Sequence, residues 1–147
     1  RYFSKGGVFD RKREESVMRE MIDRLRIKAP GPDTVIGALS GGNQQKVVMA
    51  RQLVEEAKIL VAEEPTQGVD VGAKAEIHRL ILDHVAEGHA ALVLSTDLEE
   101  IRFLCDRIIV LRRGVTEQDL PGNVSAARLL SAASGETSDE EVVKDEQ

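Results

Sequence analysis

The sequence predicts an α/β fold in which parallel strands alternate with helices, and three observations carry that prediction. Residues 58–62, 90–94 and 107–111 are largely aliphatic runs, too short for helices and bounded by breaker or charged residues, so they read as buried strands. Stretches with helical spacing of apolar residues lie between them. With 41% apolar residues among 147, the chain is long enough to bury one domain's core. Strands that alternate with helices of this length imply a parallel sheet covered on both faces.

The elements follow in order. Residues 13–27 place Val17, Met18, Met21, Ile22 and Leu25 at helical spacing, and Pro30-Gly31-Pro32 ends that helix in a rigid turn. A second helix runs from Asn43 to about Glu56, with Val47, Met49, Ala50 and Leu53 apolar. The first strand, 58–62, stops at Glu63-Glu64-Pro65, because proline cannot continue it. A third helix, 73–86, turns Ile77, Leu80, Ile81 and Val85 inward and closes at Gly88. After the strand at 90–94, a short helix at 98–104 is capped by Thr96 or Asp97. The last strand, 107–111, ends at Arg113-Gly114. Beyond Gly135 the run ETSDEEVVKDEQ is too charged to pack and is expected to be disordered. There is no internal repeat.

Composition narrows the function classes. A net charge of −6 argues against a nucleic-acid footprint across the surface. Residues 1–28 carry nine Lys/Arg against five Asp/Glu, and 135–147 carry six acidic groups and one lysine; both ends read as solvated. Only 3% of residues are aromatic, so the core is aliphatic. One cysteine, Cys105, excludes an internal disulfide and reads as a small buried hydrophobe. No apolar run approaches the roughly 18 residues that span a bilayer, and no signal peptide is recognisable. A first residue of Arg1, without methionine, suggests a fragment. His78, His84 and His89 are spaced six and five apart, share no single helix face, and read as surface residues.

Two motifs carry chemistry. Ser40-Gly41-Gly42 stands where a helix begins. Unpaired amides and a partial positive charge favour an anion there, glycines let it approach closely, and a serine hydroxyl adds a donor. A plain serine cap followed by flexible glycines explains the same letters. Next, the strand at 58–62 delivers two carboxylates, Glu63 and Glu64, to its C-terminal end. That arrangement suits a magnesium-nucleotide hydrolase, one carboxylate holding the metal or its water and the next orienting the attacking water. Open α/β sheets bind ligands at that edge. No GxxxxGK[ST] phosphate loop accompanies the pair. The run from Gly37 to Gly42 has the glycine spacing but is followed by Asn43, and the run from Gly68 to Lys74 lacks the second glycine and the hydroxyl. The chain has the later half of a nucleotide site.

LSGGNQQK (39–46), EEPTQGVD (63–70), LSTDLEE (94–100) and DRIIVLRRG (106–114), in that order, resemble the nucleotide-binding domain of an ABC transporter. LSGGNQQK joined to PTQGVDVGAK resembles more narrowly the second ATPase domain of the tandem subunits that drive bacterial ribose-, galactose- and xylose-type importers. The resemblance covers roughly residues 1–133. It implies a partial P-loop ATPase: 1–38 as part of a helical subdomain, 39–133 as the C-terminal half of the ATPase domain, and 134–147 as an acidic tail. In that family two domains meet head to tail, so Ser40, Gly41, Gly42 and Asn43 would contact the γ-phosphate of ATP held by the partner domain. Glu64 matches the carboxylate that polarises water, and Asp70 the aspartate that communicates across the pair. Glu63 matches a metal-associated aspartate but is longer by one methylene, which disturbs a Mg2+ site. Thr96 stands where many members place a switch histidine, and it cannot act as one. The implied site containing these residues hydrolyses poorly or not at all, while the signature serves the other, competent site.

The implied partners are the other ATPase domain, membrane permease subunits and a periplasmic or lipid-anchored sugar-binding protein, with the chain at the cytoplasmic face of the membrane and no nucleic acid. Two rival readings remain open. One is a soluble ABC ATPase of the ribosomal or DNA-repair kind, although the ribosomal kind reads EPTNHLD where this chain has EPTQGVD. The other is an inactive remnant that lacks the phosphate loop.

Overall fold

The computed structural model describes residues 4–5, 8–54 and 57–135. The acidic tail after Gly135 and the expected end of the second helix at Glu56 lie outside them. The chain divides after Leu94 into two compact units, each described by itself.

In the first unit a small antiparallel pair, β1 (Ser4–Lys5) and β2 (Val8–Phe9), precedes helix α1 (Arg11–Arg24). Asp10 caps α1 by accepting from the Arg13 amide at 3.0 Å. The predicted apolar stripe is the buried one: Met21, Leu25, Ile27 and Ala50 form a core, with Val17, Ile22, Leu39, Val47, Leu53 and Leu80 packed on it. Thr34 ties the Pro30–Pro32 turn, its hydroxyl donating to the Gly31 carbonyl at 2.6 Å. Helix α2 (Gly41–Val54) follows. Strand β3 (Ile59–Glu63), helix α3 (Val71–Ala86) and strand β4 (Ala90–Leu94) make one parallel crossover, with Ile59 opposite Ala90 and Glu63 opposite Leu94. Both strands therefore end at the same edge.

Alternation along β3 separates its faces. Leu60 and Ala62 are buried, and Ile77 and Ile81 form the buried stripe of α3, which packs on β4. On the other face Ile59, Val61, Leu92 and Leu94 are exposed together. The expectation of a sheet covered on both faces is thus met on one side among the described residues.

The α3 stripe departs from its prediction. Val85 is exposed, whereas His78 and His84 are buried. The expectation of surface histidines is overturned by phase: Ile77, Ile81 and His84 are spaced i, i+4, i+7, so His84 shares the core-facing line. Burial, and then the neighbouring His89, push the His84 imidazole below its ordinary pKa.

The second unit contains helix α4 (Leu98–Leu104), strands β5 (Arg107–Arg112) and β6 (Val115–Pro121), and helix α5 (Ala126–Ser134). Here the predicted strand at 107–111 is present as β5, with a partner that the sequence reading did not include. β5 pairs antiparallel with β6. Arg113 and Gly114, at φ 49° and 81°, form a two-residue turn that sends the chain back on itself, the geometry that tight hairpins require. β6 escaped the sequence reading because it is mostly polar and exposed. α5 escaped too, although Ser125 caps it through the Arg128 amide and Gly135 ends it at φ 78°. Cys105 is half-buried, and burial, then Asp106 and Glu100, push its thiol up. Gly122 lies so close to it that an added Cβ would meet the Cys105 carbonyl oxygen at 1.8 Å.

Candidate functional site

The segment Leu39–Lys46 is built from the inside outwards. α2 begins at Gly41, two residues before the predicted start, so the amides of Gly41, Gly42 and Asn43 belong to the first turn, where no intrahelical acceptor exists. The first ladder bond runs from the Gln44 amide to the Ser40 carbonyl at 2.9 Å. Gly42 is buried, and a Cβ there would lie 2.5 Å from the Ala73 Cβ in the first turn of α3. Its smallness therefore serves packing within the chain, a role the sequence reading missed.

The polar residues of the motif anchor it. Asn43 accepts from the Lys28 amide at 2.8 Å and donates to Ser40 Oγ at 2.7 Å. Gln44 donates to the Leu39 carbonyl at 2.8 Å. Lys46, 2% exposed, pairs with Glu76 on α3 and donates to the Arg26 carbonyl at 3.2 Å. The hydrogen bond from Lys46 holds the Glu76 carboxyl below its ordinary pKa. That depressed value makes the pair's contribution present above the unfolded carboxyl pKa and lost as pH falls through the folded one. Within the motif, Ser40 and Gly41 are left exposed. Because Ser40 Oγ accepts from Asn43, its own proton points elsewhere and is available to an external acceptor.

The carboxylates stand at the common C-terminal edge of β3 and β4. Glu63 is the last residue of β3 and is exposed. Glu64 adopts φ 43°, a left-handed conformation that costs a non-glycine residue roughly 1–2 kcal/mol. Its amide donates to the Leu94 carbonyl at 2.7 Å, and its carbonyl accepts from Gln67 at 3.1 Å. Strain held at one residue by fixed neighbours is a feature of functional positions. Asp70 is the N-cap of α3, accepting from the Ala73 amide at 2.9 Å. It also starts the helix two residues before the sequence reading placed it. Asp70→Ala is expected to lower stability by about 1 kcal/mol, read as a reduced urea midpoint, whereas Asp70→Asn keeps it. Thr96 belongs to the second unit and is exposed before Asp97, which caps α4 through the Glu99 and Glu100 amides at 3.0 and 3.1 Å. Of the two candidate caps, Asp97 is the one used.

The signature helix start and the Gly68–Ala73 segment are thus in direct contact, through Gly42 against Ala73 and Gly41 near the Gly68 carbonyl. As to Mg2+, Glu63 and Glu64 offer the hard oxygen donors that the ion takes. Neither the run from Gly37 to Gly42 nor that from Gly68 to Lys74 carries the second glycine followed by lysine and a hydroxyl that a phosphate loop needs, so these residues do not complete a magnesium–nucleotide site.

Comparison with known proteins accords with this geometry. The ABC transporter family profile matches residues 3–67. The chain is 43% identical over 134 residues to the ribose import ATP-binding protein RbsA of Hahella chejuensis, covering 90% of this chain and 27% of that protein. It is 48% identical over 115 residues to the arabinose import ATP-binding protein AraG 2 of Burkholderia ambifaria, covering 78% of this chain and 22% of the other. The chain spans about a quarter of the length of these curated relatives. Among solved structures, the ATP-binding cassette MJ0796, a dimer in a post-hydrolysis state bound to ADP and Pi, superposes with a TM-score of 0.70 at 25% identity, over 84% of this chain and 53% of that one. Ordered motifs, a shared fold and identity over most of its length converge on the ATP-binding proteins of ABC transporters as what this chain is similar to.

Proposed function

We propose that this chain is the C-terminal half of the second ATPase domain in a tandem subunit that powers import of a simple sugar. One observation carries the reading: Gly42 is held by packing and Asn43, Gln44 and Lys46 by hydrogen bonds, while Ser40 and Gly41 stay exposed at a helix N-terminus. A rigid helix start with an outward hydroxyl is a prepared donor set for a phosphate bound elsewhere.

In this reading the other ATPase domain holds ATP on its phosphate loop, and α2 closes over the γ-phosphate. The Ser40 hydroxyl and the amides of Gly41 and Gly42 donate to the γ-phosphate oxygens. Asn43 reaches the same pocket and fixes the Ser40 rotamer. Asp70 joins the two halves across the pair, its position tied to the signature because Ala73 packs on Gly42. Glu64 is the carboxylate that orients water in the second nucleotide site, beside Glu63. With a glutamate at 63, that second site turns over slowly, and the signature serves the faster one. A Mg2+ ion there would neutralise phosphate charge, with Glu63 as its degenerate ligand.

The apolar face formed by Ile59, Val61, Leu92 and Leu94 supports a further layer of the same domain, supplied by another segment. No helix among the described residues is long and apolar enough to cross a membrane. The energy of closure therefore passes to permease subunits that the assembly meets at the cytoplasmic face, with a sugar-binding protein on the other side. The names of the ribose and arabinose import relatives favour a pentose as cargo. Deleting the coding region should abolish uptake of labelled ribose or arabinose, and a plasmid copy should restore it. Unchanged uptake of every simple sugar tested overturns the proposal.

A further inference from the structure

We propose that His84, Glu87 and His89 form a binding site for a zinc-class divalent transition-metal ion at the C-terminal end of α3. His84 lies in the last turn of that helix and Glu87 is its C-cap. Gly88, at φ 88°, reverses the chain and brings His89 back against His84, the two rings 4.6 Å apart and inclined by 33°. One donor atom from each of the three residues lies within 4.8 Å of the others.

The second, independent observation is that His84 Nε2 and His89 Nδ1 are both buried and make no hydrogen bond. His84 as a whole is 4% exposed. A buried polar atom without a partner carries a desolvation cost, of roughly 1–3 kcal/mol, so native structures almost always satisfy it. Two such nitrogens on neighbouring rings, in a group whose third member is a carboxylate, can be satisfied together by one cation. The helix end adds free carbonyls and the negative pole of the dipole, which favours positive charge.

Two imidazoles and one carboxylate select the ion. Nitrogen donors suit zinc and its neighbours, whereas Mg2+ and Ca2+ take oxygen. Three protein ligands leave the fourth tetrahedral position to water. Bonds of about 2.0–2.1 Å place tetrahedral donors about 3.4 Å apart. The ligands therefore close by up to about 1.4 Å from the present spacing, within the reach of rotamer adjustment. Arg24 donates to Glu87 Oε1 at 2.6 Å, leaving the other oxygen for the ion and orienting the ligating carboxylate. The site is remote from the carboxylates at the strand ends. α3 runs from Val71 to Ala86, about 24 Å of helix at 1.5 Å per residue. The ion would clip the end of α3 to the start of β4, a structural role.

The test uses the tag-free 147-residue chain, titrated with ZnCl2 by calorimetry and with Co2+ by visible absorbance. One ion per chain, tetrahedral Co2+ bands and a Zn2+-induced rise in Tm are expected. His89→Ala, at a half-buried position, should weaken binding at least about tenfold while the circular dichroism stays native. Glu87→Gln should weaken it by about as much, and neither Mg2+ nor Ca2+ should compete. Absence of saturable binding, His89→Ala binding like the parent, or equal competition by Mg2+ each overturns the site.

Discussion

Ser40→Arg, introduced into the tandem subunit, is expected to abolish ATP-driven sugar uptake and to cut ATP turnover by at least about a hundredfold. Deleting one preorganised donor to a transition-state oxyanion costs on the order of 10²–10³ in rate. Arginine does more than delete. Its bulk fills the space over Gly41 that a phosphate needs, and its positive charge sits at the pole of α2 where cations are disfavoured. Folding is spared, because Ser40 is exposed and its hydroxyl oxygen serves only to accept from Asn43 among the described residues. Ser40→Ala, which keeps the space and loses the donor, should fall between the parent and the arginine variant. The measurements are uptake into proteoliposomes and phosphate release, with circular dichroism to show that the fold persists. Uptake at the parental rate in Ser40→Arg refutes the shared-site assignment.

Much of this molecule is legible in its sequence, and the illegible parts have physical reasons. The α1 stripe emerges from helical periodicity because it buries apolar side chains at regular intervals, and both parallel strands emerge as short aliphatic runs, β3 burying Leu60 and Ala62. β6 is hidden because it buries little, and its pairing is decided by the turn at Arg113-Gly114, a backbone property. His84 is hidden for another reason: it occupies a core position, but its chemical type suggests surface. Counting by phase along Ile77, Ile81 and His84 finds it; counting apolar letters selects Val85 instead.

The candidate site divides in the same way. Residue type and order point to Ser40, Glu63, Glu64, Asp70 and Thr96, and the motif suggests an anion. Sequence does not show that Gly42 is small for the sake of Ala73, or that Lys46 is buried beneath Glu76 and the Arg26 carbonyl. Those are contacts between residues some 20–30 positions apart. They turn a flexible-looking Ser-Gly-Gly into a fixed helix start. Nor does sequence show the left-handed backbone at Glu64, where a signal exists only in hindsight: a non-glycine residue just before proline at an abrupt strand end.

The 147-residue chain alone is expected to hydrolyse no ATP above the spontaneous rate. Its helix start can donate to a γ-phosphate, but nothing in the sequence cradles the β-phosphate: neither glycine run is followed by the lysine and hydroxyl that such a loop needs. Without that anchor the nucleotide is not held in line with water, and positioning supplies most of the acceleration in phosphoryl transfer. The carboxylate pair does not compensate, since a glutamate at 63 carries its oxygens about a bond length further than an aspartate would, in a metal site that tolerates little distortion. The comparison that isolates this logic uses Glu64→Gln twice. In the chain alone it should change nothing, because there is no turnover to lose. In the proposed tandem subunit it should lower turnover by less than about twofold, because the proposal puts Glu64 in the slow site, whereas Ser40→Arg would disable the fast one. Phosphate release that copurifies with the isolated chain and vanishes in Glu64→Gln shows that this half carries a complete site, and the assignment of its signature to a partner's ATP then fails.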